Sequence, residues 1–315
     1  MSAPIQSLHH VTATVDDARD DLGFYRDLLG LRLVKRTVNF DNHHVYHFYY
    51  GDERGTPATI WTTFPYKGHG VRPGRIGAGQ IAVTSFSIPG NALSFWQERL
   101  RATGIHAEPT GPVFGEARLT FSDPSGLAIE LIAGDRDPRE PWTGGGVNSD
   151  AAIRGLHGVT LLLDRPEATV KLMTERLGFE LVEETAGRIR LAVRGNQPGK
   201  LVDILFGPGA EAGVNGLGTV HHVAMAIDGD EAQRALREEL IDYGLRVTEV
   251  LDRQYFRSIY FREPGGVLFE VATMQPGFTV DEPLDALGTS LKLPSWEEPN
   301  REVIEAGLPA VGAHV

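Results

Sequence analysis

Leu8–Gly30 reads LHHVTATVDDARDDLGFYRDLLG, and Leu156–Gly178 reads LHGVTLLLDRPEATVKLMTERLG. The two stretches align without a gap at an offset of 148 positions (Leu8 to Leu156). Each opens on a short β-branched run and passes into a helical pattern. In the first, Leu22, Tyr25, Leu28 and Leu29 recur at helical spacing. Each then stops at a glycine, the residue that a left-handed helix C-cap favours. A sequence that repeats this grammar is built from duplicated units, and the repeat decides the fold.

A second pair follows. DPSGLAIEL (Asp123–Leu131) matches EPGGVLFEV (Glu263–Val271) at an offset of 140, and at that offset Gly104 meets Gly244 and AVTSFSI (from Ala82) meets HVAMAID (from His222). LRLVKRTV, RIRLAVR and LRVTEVLD supply further β-rich runs. The expectation is an α+β fold: four βαβββ modules in two tandem halves, with mixed sheets curled around a metal-site cavity. The halves are 1–140 (modules 1 and 2) and 150–275 (modules 3 and 4). Between them GDRDPREPWTGGGVNSD (Gly134–Asp150) is polar and rich in Gly and Pro, as a linker is. Residues 276–315 fall outside the repeat and read as a C-terminal arm with a short final helix packing over the site.

Composition narrows the chemistry. The chain has 315 residues, 41% of them hydrophobic, which is ample for a sizeable core. A net charge of -12 without basic clusters argues against nucleic acid as a partner. No apolar run is long enough to span a bilayer and no signal-peptide pattern opens the chain, so the expected compartment is the cytoplasm. There is no cysteine, so any metal site must be built from His, Asp or Glu.

The repeat then serves as a ruler for those residues. His10 is matched in module 3 by Gly158, His222 in module 2 by Ala82, and Glu270 by Glu130. Glu270 sits among Leu268, Phe269, Val271 and Ala272, where a carboxylate is costly unless it meets a cation. If module 1 pairs with 2 and 3 with 4, each site receives one His and one Glu. If module 1 pairs with 4, one site collects His10, His222 and Glu270, and the other keeps only Glu130. Two imidazoles and a carboxylate form the facial set of non-haem Fe(II) oxygenases. The second pairing is favoured because it completes one site. HHVYH (His43, His44, His47) lacks a repeated carboxylate and reads as pocket lining or surface. The Gly-rich segment around His69 matches no phosphate loop, and His157 reads as a relic of His9.

LHHVT, the glycine-ended helices, GDERGTPATIWTTFP, VHHVAMAI and GGVLFEV together resemble the vicinal oxygen chelate superfamily of glyoxalases, bleomycin-resistance proteins and extradiol dioxygenases. Within it the chain looks most like ring-cleaving dioxygenases that open hydroquinones. The resemblance covers nearly the whole chain. It implies Fe(II), or Mn(II), held by His10, His222 and Glu270, with a small aromatic substrate and O2 as partners and a homodimer left open. It further implies that His9 and His221 flank the metal and that Arg253 and Tyr260 line the substrate pocket. Two other functions stand beside this expectation: a glyoxalase-type isomerase, which would add a second carboxylate, and a non-catalytic module that binds aromatic compounds.

Overall fold

A computed structural model describes residues 4–311. Each module has one helix and four strands, as the repeat predicts. Module 1 holds β1 (Ile5–Val15), α1 (Ala18–Leu22), β2 (Arg32–Asn39), β3 (Asn42–Gly51) and β4 (Ile60–Pro65). Module 2 holds β5 (Gln80–Ile88), α2 (Leu93–Ala102), β6 (Glu108–Val113), β7 (Glu116–Ser122) and β8 (Ala128–Ala133). Module 3 holds β9 (Gly155–Leu163), α3 (Glu167–Glu175), β10 (Phe179–Thr185), β11 (Arg188–Val193) and β12 (Leu201–Phe206). Module 4 holds β13 (Thr219–Ile227), α4 (Gly229–Asp242), β14 (Leu251–Asp252), β15 (Arg257–Arg262) and β16 (Leu268–Thr273).

Asp17 starts α1 by accepting hydrogen bonds from the Arg19 and Asp20 amides. The helix then widens into a π-helical turn over Gly23–Leu28, which the sequence pattern had read as one continuous α-helix. Each module's helical segment ends just before a glycine in the left-handed region: Gly30, Gly104, Gly178 and Gly244 have φ of 73°, 79°, 79° and 99°. The helices press their apolar sides onto the sheets, with Trp96 and Leu100 of α2 and Leu236 and Leu240 of α4 all buried.

The strands form two eight-stranded sheets whose orders are β14-β15-β16-β13-β1-β4-β3-β2 and β10-β11-β12-β9-β5-β8-β7-β6. Module 1 therefore shares a sheet with module 4, and module 2 with module 3. The junction is antiparallel in each case, β1 against β13 and β5 against β9. Sheet partnership thus crosses between the sequence halves and brings β1, β13 and β16 side by side, which is what positions the site. The Gly-rich segment around His69 has a structural use: Arg75 and Val214 exchange backbone hydrogen bonds of 2.8 Å each, zipping two loops together beside the cavity. The C-terminal arm lies against β2 and β3. Lys35, fully buried, pairs with Asp281 and Glu282, and Phe278 packs on Tyr49 and Tyr255. The arm ends in α5 (Arg301–Gly307). Among the described residues no helix is long and apolar enough to cross a membrane.

Candidate metal centre

His10 of β1, His222 of β13 and Glu270 of β16 meet at the β1–β13–β16 junction. Their exposures are 2%, 5% and 0%. Glu270 Oε2 lies 2.8 Å from His222 Nε2 and 3.3 Å from His10 Nε2, and the two Nε2 atoms are 3.2 Å apart. Donor atoms bound at right angles, 2.1 Å from a common centre, lie about 3.0 Å from one another. The triangle has the dimensions of one face of an octahedron.

The residues fit a divalent cation on a second ground. Glu270 Oε2 is buried and makes no well-aligned hydrogen bond, whereas Oε1 accepts one from Ser258. A carboxylate oxygen and two imidazole nitrogens converge with no hydrogen directed between them to satisfy all three, the arrangement a metal ion would complete. Burial pulls the Glu270 carboxyl upward, but the facing His10 and His222 imidazoles outweigh it and hold the group well below the ordinary range. Burial also lowers His222, against the opposing pull of Glu270.

Two β-bulges aim the histidines. Along the β1–β13 ladder His9 is the extra residue between the pairs Leu8–Met225 and His10–Ala224, and His221 is the extra residue between Thr12–His222 and Ala13–Val220. Bulges re-aim side chains next to active sites. Here each brings the first histidine of the pair against the second: His9 Nδ1 is 2.9 Å from His10 Nδ1, and His221 Nδ1 is 2.7 Å from His222 Nδ1. A proton shared at each Nδ1 pair leaves Nε2 of His10 and His222 free as a ligand. His9 also hydrogen-bonds the Thr273 backbone. Burial, reinforced by His10, pushes His9 down to about 3. His221 is reachable from the cavity yet crowded by protein, and this desolvation, with His222 adding to it, pushes it down to about 3.

The triad forms part of the wall of a cavity of about 410 Å³. Of the four flanking residues expected from the sequence, His221, Tyr260 and Arg253 stand on the cavity wall, whereas His9 does not. His9 sits behind His10, with its ring against Phe256. Tyr260 is directly opposite Glu270 in the β15–β16 ladder, its hydroxyl accepts from Arg253 Nε at 3.1 Å, and Arg253 pairs with Asp41 at 3.2 Å. Burial acts to lower Arg253, but Tyr260 and Asp41 outweigh it and keep the guanidinium charged. Burial raises the Tyr260 phenol. Aromatic side chains line the rest: Phe40, Tyr49, Phe64, Tyr66 and Phe256. Sequence reasoning missed Phe256 and Ser258, of which the register of β15 against β16 could have suggested Ser258, and left His47 unplaced between pocket and surface.

In the other sheet the equivalent positions are occupied differently. Glu130 pairs with Arg118 at 3.0 Å and accepts from Ser85, while His157 lies near Glu116 at 3.2 Å. Among the described residues only His10, His222 and Glu270 form a group able to hold a metal.

Comparison with known proteins gives the family. The family described as the glyoxalase/bleomycin resistance protein/dioxygenase superfamily matches residues 7–131 and 155–271. MhqE of Bacillus subtilis, a candidate ring-cleaving dioxygenase, is 44% identical over 304 residues, 96% of this chain and 98% of its own. The chlorohydroquinone/hydroquinone 1,2-dioxygenase of Sphingobium indicum is 36% identical over 297 residues, 92% of this chain and 91% of its own. The crystal structure of a candidate dioxygenase from Bacillus subtilis superposes with a TM-score of 0.93 at 40% identity, covering 99% of this chain and 100% of the other.

Proposed function

The chain belongs to the glyoxalase/bleomycin resistance protein/dioxygenase superfamily, and we propose that it is an Fe(II)- or Mn(II)-dependent ring-cleaving dioxygenase acting on an aromatic diol of the hydroquinone or catechol type. The reading is of the extradiol type, with the ring opened between a hydroxyl-bearing carbon and its neighbour. One observation carries it: two imidazoles and an orphaned carboxylate oxygen converge on one octahedral face, and that face opens on an aromatic-walled cavity.

When bound to His10, His222 and Glu270, the metal supplies a Lewis acid with open positions and, as Fe(II), an electron relay between ring and O2. The chain's own residues do the remaining work. Phe64, Tyr49 and Phe256 offer faces and edges to a benzene ring and exclude water from it. Arg253 places a fixed positive charge on the wall and lowers the cost of a diol entering as its anion. His221, neutral and reachable from the cavity, has its Nδ1 engaged by His222 and so offers its Nε2 hydrogen to the oxygen of the bound anion, and Tyr260, whose phenol stays protonated, holds a proton to deliver. His9 acts through His10, fixing its tautomer. This reading is favoured over an isomerase because the spare repeat-matched carboxylate, Glu130, lies in the other sheet against Arg118.

The test is anaerobic reconstitution with Fe(II), then O2 consumption with hydroquinone, methylhydroquinone and catechol. The expected result is one O2 per ring opened. Glu270→Gln, which keeps the shape and removes the charge, should weaken metal binding on the order of 100-fold and abolish uptake. No uptake by protein with iron demonstrably bound would overturn the dioxygenase reading.

A further inference from the structure

Several polar groups on the cavity wall are already committed within the protein. Asn39 donates to Tyr66 and accepts from the Asp41 amide, Asn215 accepts from Gln80, and Asp41 pairs with Arg253. Two side chains differ. His47 and Tyr49 are alternate residues of β3, their rings tilted against each other with centroids 4.0 Å apart on the same face of the strand, and both line the cavity.

His47 is buried, with 8% exposure, and its Nε2 lies 2.9 Å from Thr62 Oγ1. Thr62 spends its one hydroxyl proton on Thr12 Oγ1, 2.8 Å away. Toward His47, Thr62 can therefore only accept. That places the imidazole hydrogen on Nε2 and leaves a lone pair on Nδ1. No described residue hydrogen-bonds His47 Nδ1 or the Tyr49 hydroxyl. The wall thus presents an acceptor and a hydroxyl side by side, both unmet, and a ligand hydroxyl could satisfy both at once.

Their distance from the triad has chemical meaning. The sheet runs β1, β4, β3, and by register His47 lies two strands from His10 and level with Thr14, four residues along β1, its ring leaning back toward Thr62. A benzene ring with one oxygen at the triad turns its para oxygen away from the metal end and toward that wall. An ortho-diol holds both oxygens at the same end.

Resting on the dioxygenase reading of this cavity, we propose that His47 receives the second hydroxyl of a para-diol. Nδ1 accepts its hydrogen bond, Tyr49 donates to its oxygen, and His47 is the residue that selects hydroquinones over catechols. Thr62 and Thr12 are positioning residues that fix the tautomer.

The experiment is anaerobic calorimetry on metal-loaded protein with three probes: hydroquinone, phenol (the same ring without the distal hydroxyl) and catechol. Wild type should bind hydroquinone roughly 100-fold more tightly than phenol, the yield of two well-made hydrogen bonds at about tenfold each. His47→Leu should lower hydroquinone affinity about tenfold and leave phenol and catechol unchanged, so that the ratio falls by the same factor. Thr62→Val keeps the imidazole and frees its tautomer, and should lower the ratio partway. Equal losses for hydroquinone and phenol, an unchanged ratio in both variants, or a wild type that does not distinguish the two would overturn the assignment. Because binding is read without oxygen, absent O2 uptake with the ratio intact would sink the dioxygenase reading and leave His47 standing.

Discussion

Behind the site, on the opposite faces of β3 and β4, Asp21 is buried with 3% exposure. Its Oδ2 accepts from Tyr50 at 2.6 Å and from Thr63 at 2.7 Å, and its Oδ1 has no partner. Burial, partly offset by those two hydroxyls, raises the carboxyl from 3.8 to about 7. In the folded protein the group keeps its proton from pH 3.8 to about 7, whereas the unfolded chain releases it. The stability associated with the raised value is complete below pH 3.8 and is lost as pH rises through about 7. Between pH 5 and 8.5 roughly two of those units are crossed, a loss of about 3 kcal/mol at 1.36 kcal/mol per unit. Asp21→Asn removes the titration while its carbonyl still accepts from Tyr50 and Thr63. In urea unfolding at fixed metal occupancy, the variant should gain about 3 kcal/mol on wild type between pH 5 and 8.5. Asp123, raised to about 6 mainly by burial, titrates in both proteins and largely cancels in the comparison. A stability difference that is the same at both pH values would refute the reasoning, because Asp21 would then titrate alike in folded and unfolded chains.

Two other expectations follow from contacts around the site. His9→Ala leaves the cavity wall intact but deprives His10 of its Nδ1 partner, so metal affinity should fall 10- to 100-fold on titration with Mn(II), with the secondary structure unchanged by circular dichroism. Lys35→Met leaves Asp281 and Glu282 without their buried cation, and the protein should lose about 3–5 kcal/mol in denaturant unfolding and become cleavable in the arm under limited proteolysis.

The triad was legible because a duplicated chain shows which side chains depart from its pattern. His10 and His222 stand where the repeat has Gly158 and Ala82, and Glu270 sits in a strand too apolar to hold it without a cation. What the sequence did not disclose was local geometry. A bulge cannot be read from LHHVT, yet the bulges are what turn His9 and His221 against His10 and His222. The place of His47 was hidden for a similar reason. The β2–β3 ladder slips between the pairs Val38–Tyr46 and Asn39–Asn42, so alternation counted from His43 does not carry through to His47. His43 turns to Glu297 of the arm, while His47 faces the cavity. Nor does any local pattern show that Lys35 will be buried, because its counter-charges lie some 246 residues away in a segment outside the repeat.

The two sheets answer one electrostatic demand in two ways. Both carry a buried glutamate at the same place in the repeat, and a buried carboxylate needs a cation beside it. In the second sheet the β7 residue paired with Ile132 is Arg118, and its guanidinium lies against Glu130. In the first sheet the equivalent β15 residue, paired with Ala272, is Ser258, which gives Glu270 one hydrogen bond and no charge. On the proposed function a metal would supply the missing charge, with His10 and His222 as its other candidate ligands. The second sheet could not accept a histidine in place of Gly158 without rearrangement, because a Cβ there would come within 2.8 Å of the Leu201 carbonyl oxygen. Arginine in one sheet and serine in the other therefore separate a structural ion pair from a reactive centre. Together with Gly158 and Ala82, which stand where His10 and His222 do, this difference at repeated positions accounts for a fold with two similar sheets having one candidate place for a metal among its described residues.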